Sequence, residues 1–245
     1  MSRNMKNERI GEIGYNNFGS KMIIIDMTDS NHITIFFPEY NYTVYNKKYA
    51  HFKDGKIKCS YEKRYFNIGY IGVGKYKGDK NKCMSEWYSM LERCYDPYFL
   101  DKYPTYRDVV VCNEWHNFQN FAKWYYKNYY EIENQRMHLD KDILIKGNKI
   151  YSPDTCIFVP QRINTLIIKS DNIQATRHYD NRNKIYSSTI RMDGKRYSKG
   201  FYTLIEAKEY YKKIKEDYIK QVAEEYKDLI PQKLYEALCE WNVAI

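Results

Sequence analysis

The sequence predicts an α+β protein, and three observations carry that prediction. Short apolar runs alternate with glycines over the first seventy residues or so. Two middle stretches repeat aromatic residues at helical spacing. An Asp-Gly turn near the C-terminus separates an alternating strand from a returning one that leads into a capped helix. The expected order is a β-rich module over 1–75, a central unit of two helices around a hairpin over 76–168, and a three-stranded sheet backed by a helix over 169–245.

Lys21–Ile25, His32–Phe37 and Tyr42–Tyr45 read as strands, with Pro38 stopping the second and Gly19, Gly55 and Gly69 as punctuation. His32 heads a strand with no second ligand near it and reads as structural. Gly69-Tyr-Ile-Gly72-Val-Gly74-Lys lacks the Gly-Lys-Ser/Thr ending of a phosphate loop and reads as a flexible linker. Met84, Trp87, Tyr88, Leu91 and Cys94 form one stripe of a helix that closes before Pro97. Trp115, Phe118, Phe121 and Trp124 form a second stripe between Asn113 and about Tyr130, which reads as core, and His116 falls off it.

Near the C-terminus, Tyr186, Ser188 and Ile190 alternate with Ser187, Thr189 and Arg191, so they point to opposite faces of a strand. Asp193-Gly194 turns the chain, and Arg196–Phe201 returns. A first strand is expected near Gln174–His178. Thr203 and Glu206 have capping-box spacing ahead of a helix whose Leu204, Ala207, Tyr211, Ile214, Tyr218 and Val222 face inward. The sheet face away from this helix is expected to carry Arg177, Thr189, Arg191, Lys195 and Arg196. Such a face can enter a DNA major groove, and it is also what a solvated strand face looks like.

Lys and Arg number 40 against 31 acids, a net charge of +9, which favours a polyanionic partner: nucleic acid first, an acidic membrane surface second. The 28 tyrosines interleave with lysines, suiting backbone contact and base stacking, although an AT-rich coding bias gives the same pattern. Six cysteines without a Cys-x-x-Cys pair argue against structural zinc. No leader-like stretch and no bilayer-length apolar run are present, so a cytoplasmic, reducing setting without a membrane partner is expected.

The stretch His138–Asn164 concentrates the chemistry. Asp140 and Asp142, two apart after Leu139, share one side of an extended strand, and Gly147-Asn148 is a tight turn suited to joining two short strands. Pro153-Asp154 then opens a segment ending in Gln161-Arg162-Ile163-Asn164. Carboxylates, a hairpin and a polar coda can build a one-metal phosphodiester site; they fit a plain capped hairpin equally well.

Two resemblances sharpen this. Trp87-x-x-Met90-x-x-Arg93-Cys94-Tyr95 is followed by Tyr106-x-Asp108-Val-x-Val111-Cys112-x-Glu114-Trp115-x-x-Phe118-x-x-Phe121. Leu139-Asp140-Lys141-Asp142 and Tyr151-Ser-Pro153-Asp154-Thr-Cys156 come next, and together they resemble bacteriophage-encoded HNH-type endonucleases over roughly 84–166. Ala175 to about Tyr218 is similar to the APETALA/ethylene-response-factor type of DNA-binding domain, on Tyr186, Thr189, Arg191, Gly194, Arg196 and Gly200-Phe201. The resemblance implies a metal-dependent DNA endonuclease or nickase of homing type, acting on double-stranded DNA with Mg²⁺ or Mn²⁺. It places Asp140 and Asn164 at the metal-ligand positions, Lys141 where the base histidine would be, and Asp154 or Thr155 near the central asparagine. His138, two residues before Asp140, shares its strand face and could serve as base, with Asp142 beside it. Lysine at the base position departs from the family pattern. It leaves room for an inactive DNA-binding scaffold or regulator, or for a protein that binds a host or defence protein.

Overall fold

The computed structural model describes residues 8–79, 81–167, 173–174 and 185–244. In chain order it forms β1 (Ile13–Tyr15), β2 (Lys21–Asp29), β3 (His32–Phe37), β4 (Tyr42–Lys47), α1 (Tyr49–Lys53), α2 (Lys82–Tyr95) and α3 (Pro97–Lys102). There follow β5 (Val110–Val111), α4 (Phe118–Asn128), β6 (Met137–Asp140), β7 (Ile150–Tyr151), β8 (Ile157–Pro160) and α5 (Gln161–Ile167). The chain ends with β9 (Ile173–Gln174), β10 (Tyr186–Met192), β11 (Lys195–Phe201), α6 (Leu204–Tyr226) and α7 (Gln232–Cys239). The fold class is α+β, with several small sheets. No helix among the described residues is long and apolar enough to cross a membrane.

The chain groups into two compact units, one of residues up to Lys127 with Ile150–Ser152, the other of Asn128–Lys149 with Pro153 onward. The boundary expected near 75 falls inside the first unit, and that near 168 falls inside the second.

In the first unit, β1 to β4 form an antiparallel sheet in sequence order. Its buried face packs Met22, Ile24, Met27, Ile33, Ile35, Phe37 and Val44 against Phe52, Ile57 and Cys59. Asn81 opens α2, its side chain accepting from Met84 N–H at 2.9 Å. The aromatic stripes are core: Trp87, Trp115, Phe118 and Phe121 are buried, and Trp87 Nε1 donates to the Trp115 carbonyl at 2.7 Å. Tyr88, expected inward, is exposed. The stretch around Gly69–Gly74 is docked rather than a flexible linker. Gln119 Nε2 donates to the carbonyls of Ile71 (3.2 Å) and Tyr76 (2.8 Å), and a Cβ on Gly72 or Gly74 would strike the Asn117 or Gln119 side chain. His116 is half-buried, its Nε2 donating to the Val111 carbonyl at 3.1 Å, which fits a structural histidine.

In the second unit, β6 pairs antiparallel with β8, and α5 follows β8 without a break. The expected hairpin across Gly147-Asn148 does not form. The turn itself exists, with Gly147 at φ +79° and Asn148 N–H donating to the Ile145 carbonyl, but β7 beyond it is part of the first unit, where it pairs in parallel with β5. β9, β10 and β11 make the expected three-stranded sheet, although residues 175–178 of the expected first strand lie outside the described residues. Asp193 (φ 48°) and Gly194 (φ 76°) supply the two left-handed positions of a two-residue hairpin turn. Thr203 and Glu206 form the capping box reciprocally. Behind the sheet, α6 buries Ala207, Tyr211, Tyr218, Ile219, Val222, Ala223 and Tyr226, while Leu204 at its first position is exposed. One core joins Ile143, Ile157, Val159 and Ile163 to Ile219, Val222, Ala223, Leu234 and Leu238. Each such side chain contributes about 1.5–3 kcal/mol on burial, so the strand pair and its helix depend on α6 and α7.

Candidate functional site

Met137 and Leu139 are buried and fix the inner face of β6, which turns His138 and Asp140 together to the other face. Opposite them stand Val159 and Ile157 of β8. Gln161, the first residue of α5, hydrogen-bonds His138 Nε2 through its Oε1 and donates from Nε2 to Thr165 Oγ1 at 2.8 Å. An amide oxygen only accepts, so His138 carries a hydrogen on Nε2. In the neutral ring this leaves Nδ1 as the basic nitrogen.

Asp140 ends β6 and caps the loop that follows. Its Oδ1 accepts from the backbone N–H groups of Asp142 (2.9 Å) and Ile143 (2.7 Å), a side-chain turn that sets Ile143 into the core. Asp142 is therefore in the turn and not further along the strand. Burial and the neighbouring Asp142 charge push the Asp140 carboxyl above its ordinary range, against the lowering effect of those two N–H groups. Lys141 Nζ lies 2.8 Å from Asp142 Oδ2 and its side chain is only 11% exposed. In this contact Lys141 donates to the Asp142 carboxylate.

Asn148 is a residue that sequence reasoning passed over as a turn-former. Its Nδ2 donates to the Lys141 carbonyl at 2.6 Å, so it ties the far end of the loop to the residue after Asp140. Asp154, which the resemblance puts near the central asparagine, is exposed. Replacing Asn148 with Ala is expected to cost about 1 kcal/mol in urea unfolding, the usual worth of one internal hydrogen bond. It should leave the far-ultraviolet circular dichroism unchanged, because no regular element depends on it.

Asn164 is half-buried on α5. Asp140, Asp142 and the Asn164 amide are hard oxygen donors of the type that takes Mg²⁺ or Mn²⁺. A carboxyl whose charge is opposed by burial and a like-charged neighbour is one that a divalent cation would stabilise, so the donor chemistry fits. No group of three or more His, Cys, Asp or Glu side chains placed to hold a metal occurs among the described residues. Any such site here therefore draws on amide or solvent oxygens.

The second candidate surface is the β10–β11 hairpin. Its register pairs Thr189 with Ser198 and Arg191 with Arg196, so these four share the face away from α6. Ser187 Oγ and Ser198 Oγ lie 2.9 Å apart, and Thr189 Oγ1 is 3.1 Å from Ser198 Oγ. Arg191 and Arg196 are exposed and directly cross-strand, and like charges so placed repel. Lys195 pairs with Met192, one step out of phase, so alternation puts it on the helix side and not beside the two arginines. Arg177 lies outside the described residues.

Arg162 of α5 joins the two surfaces. Its Nη2 lies 2.9 Å from Asp193 Oδ1 in the hairpin turn and its Nη1 2.6 Å from Glu225 Oε2 on α6. Tyr218 Oη donates to the same Asp193 oxygen at 2.7 Å. Comparison with family models, with curated proteins and with solved structures gives no match to this chain.

Proposed function

We propose that the chain is a double-stranded-DNA-binding protein that acts as a metal-dependent DNA endonuclease or nickase of homing type. The observation that carries this is the composition of the second unit. A strand pair and following helix, with His138 and Asp140 on one face, share a core with α6, the helix behind a hairpin on which Arg191 and Arg196 stand directly cross-strand with no ion-pair partner among the described residues. The hairpin face would bind phosphates through Arg191 and Arg196, with Thr189 and Ser198 short enough to let the strands approach the groove.

Asp140 and Asn164 would hold Mg²⁺ or Mn²⁺, which when bound polarises the phosphoryl group and stabilises the leaving oxygen. His138 Nδ1 takes the proton of the attacking water, and Gln161 keeps the ring in the tautomer that can do so. Lys141, paired with Asp142 and tied through its carbonyl to Asn148, positions the loop. A second reading, a non-cleaving DNA-binding scaffold or regulator, is favoured by one feature. Asp140 Oδ1 is already engaged by two backbone amides, and Asp142 by Lys141.

Both readings need DNA binding, which fluorescence anisotropy on a labelled duplex across a salt series tests. Arg191→Gln and Arg196→Gln should each flatten the dependence of log affinity on log salt by about 0.9, one phosphate contact apiece. Lys195→Gln should change it less. An unchanged slope in both arginine variants would remove the hairpin face from the interface.

A further inference from the structure

Among the tyrosines that interleave with lysines, two lie face to face at the surface of the first unit. Tyr76, just past the docked Gly69–Gly74 stretch, and Tyr126 of α4 stack with ring centroids 5.3 Å apart and planes 15° from parallel. The backbone of Tyr76 is fixed by the buried Gln119 side chain. Gln119 accepts from the Tyr76 N–H at 3.0 Å and donates to the Tyr76 carbonyl at 2.8 Å, so Tyr76 is pinned to the helix that carries its stacking partner. Tyr126 is still 57% exposed, so more than half of that side chain stays open to solvent.

The charge around the stack is one-sided. Lys75 Nζ stands 5.1 Å from the centre of the Tyr76 ring. Lys77 follows Tyr76, Lys123 lies one helical turn before Tyr126, and Lys127 one turn beyond Lys123. All four lysines are exposed, and none has an ion-pair or hydrogen-bond partner among the described residues. α4 carries no acidic residue, and Asp79 is the one acid in the stretch 75–79. Open rings among unpaired cations fit a polyanion with accessible π faces. In a duplex the base faces are closed on one another, and only edges and phosphates are offered. In a single strand each base has a face to stack and a phosphate beside it. An acidic peptide would match the lysines and leave the open ring unused. We propose that this surface binds single-stranded DNA, a base lying on the open part of Tyr126 and the lysines meeting the phosphates on either side. The choice of DNA rests on the duplex-binding reading above. This surface belongs to the first unit and the hairpin to the second, so either can fail alone.

Fluorescence anisotropy of the full chain with a labelled oligothymidylate tests it, beside an oligouridylate and a duplex of equal length. Tyr126→Ala should weaken binding to the oligothymidylate about five- to a hundredfold, the worth of one base stacked on an aromatic ring. Tyr126→Phe keeps the ring and should bind as the wild type does. So should Tyr98→Ala, which removes an exposed tyrosine of α3. Lys123→Gln should flatten the dependence of log affinity on log salt by about 0.7, one phosphate of a single strand. Tyr126→Ala should leave duplex affinity unchanged, and Arg191→Gln should leave oligothymidylate affinity unchanged. The proposal is overturned if the wild type does not bind the oligothymidylate, if Tyr126→Ala binds it as tightly, or if Tyr98→Ala loses as much. Tighter binding of the oligouridylate would overturn the assignment to DNA. Photo-crosslinking of the wild-type protein to a bromodeoxyuridine-containing strand gives the same test without a variant. The adduct is expected on Tyr76 or Tyr126, and adducts found only elsewhere would contradict the proposal.

Discussion

Asp140→Asn is expected to melt at a higher temperature than the wild type in metal-free buffer, and to lose the stabilisation that Mg²⁺ or Mn²⁺ gives the wild type. The asparagine oxygen can still accept from the Asp142 and Ile143 amides, so the turn survives, while the charge opposed by burial and by Asp142 is gone. The sign follows from the raised carboxyl pKa. Ionised Asp140 works against folding; the penalty is full above its folded pKa and disappears below the ordinary value of 3.8. The gap between variant and wild type should therefore narrow as pH falls through that window. Cation at a hundred times its dissociation constant adds about 2.7 kcal/mol to a protein that binds it only when folded, and the variant should gain almost none of this. Thermal melts with and without the ion measure both effects. A variant that melts lower, or that responds to metal as the wild type does, would remove Asp140 from the metal site.

Ile219→Ala should cost about 2–5 kcal/mol, the range for removing a fully buried branched side chain, and should loosen two surfaces at once. Ile219 is 0% exposed and shares its core with Ile157, Val159 and Ile163 around the β6–β8 pair. Hydrogen exchange should show the amides of β6 and β8 and those of β10 and β11 losing protection together. Loss confined to the hairpin would mean that the β6–β8 pair and the β10–β11 hairpin fold separately, with a boundary near 168.

Much of the local structure was legible because its causes are local. The alternation of β10, the Asp193-Gly194 turn and the Thr203–Glu206 box are all set within a few residues, and each is found where expected. What failed was non-local. Gly147-Asn148 does make a turn, but a turn does not oblige the residues on either side of it to pair, and β6 takes β8 as its partner instead. The glycines at 72 and 74 looked like flexibility, yet they are small because Asn117 and Gln119 occupy the space of their side chains. Lys195 was placed on the wrong face because a two-residue turn leaves it opposite Met192, one position from the arginine pair. Asn148 and Gln161 could not be read at all, since their partners, the Lys141 carbonyl and the His138 ring, are reached only through the fold. The polar run Gln161–Asn164 was the one available hint.

Relaxation of supercoiled plasmid, with Mg²⁺ or Mn²⁺ and with chelator, is the most direct test of the proposed activity. The wild type should convert plasmid to open circles only with metal. Asp140→Asn should abolish this while still binding DNA, and His138→Ala should slow it about a hundred- to ten-thousandfold, the usual cost of losing a general base. Open circles formed equally by Asp140→Asn, or DNA binding by the wild type without any metal-dependent nicking, would contradict the nuclease account.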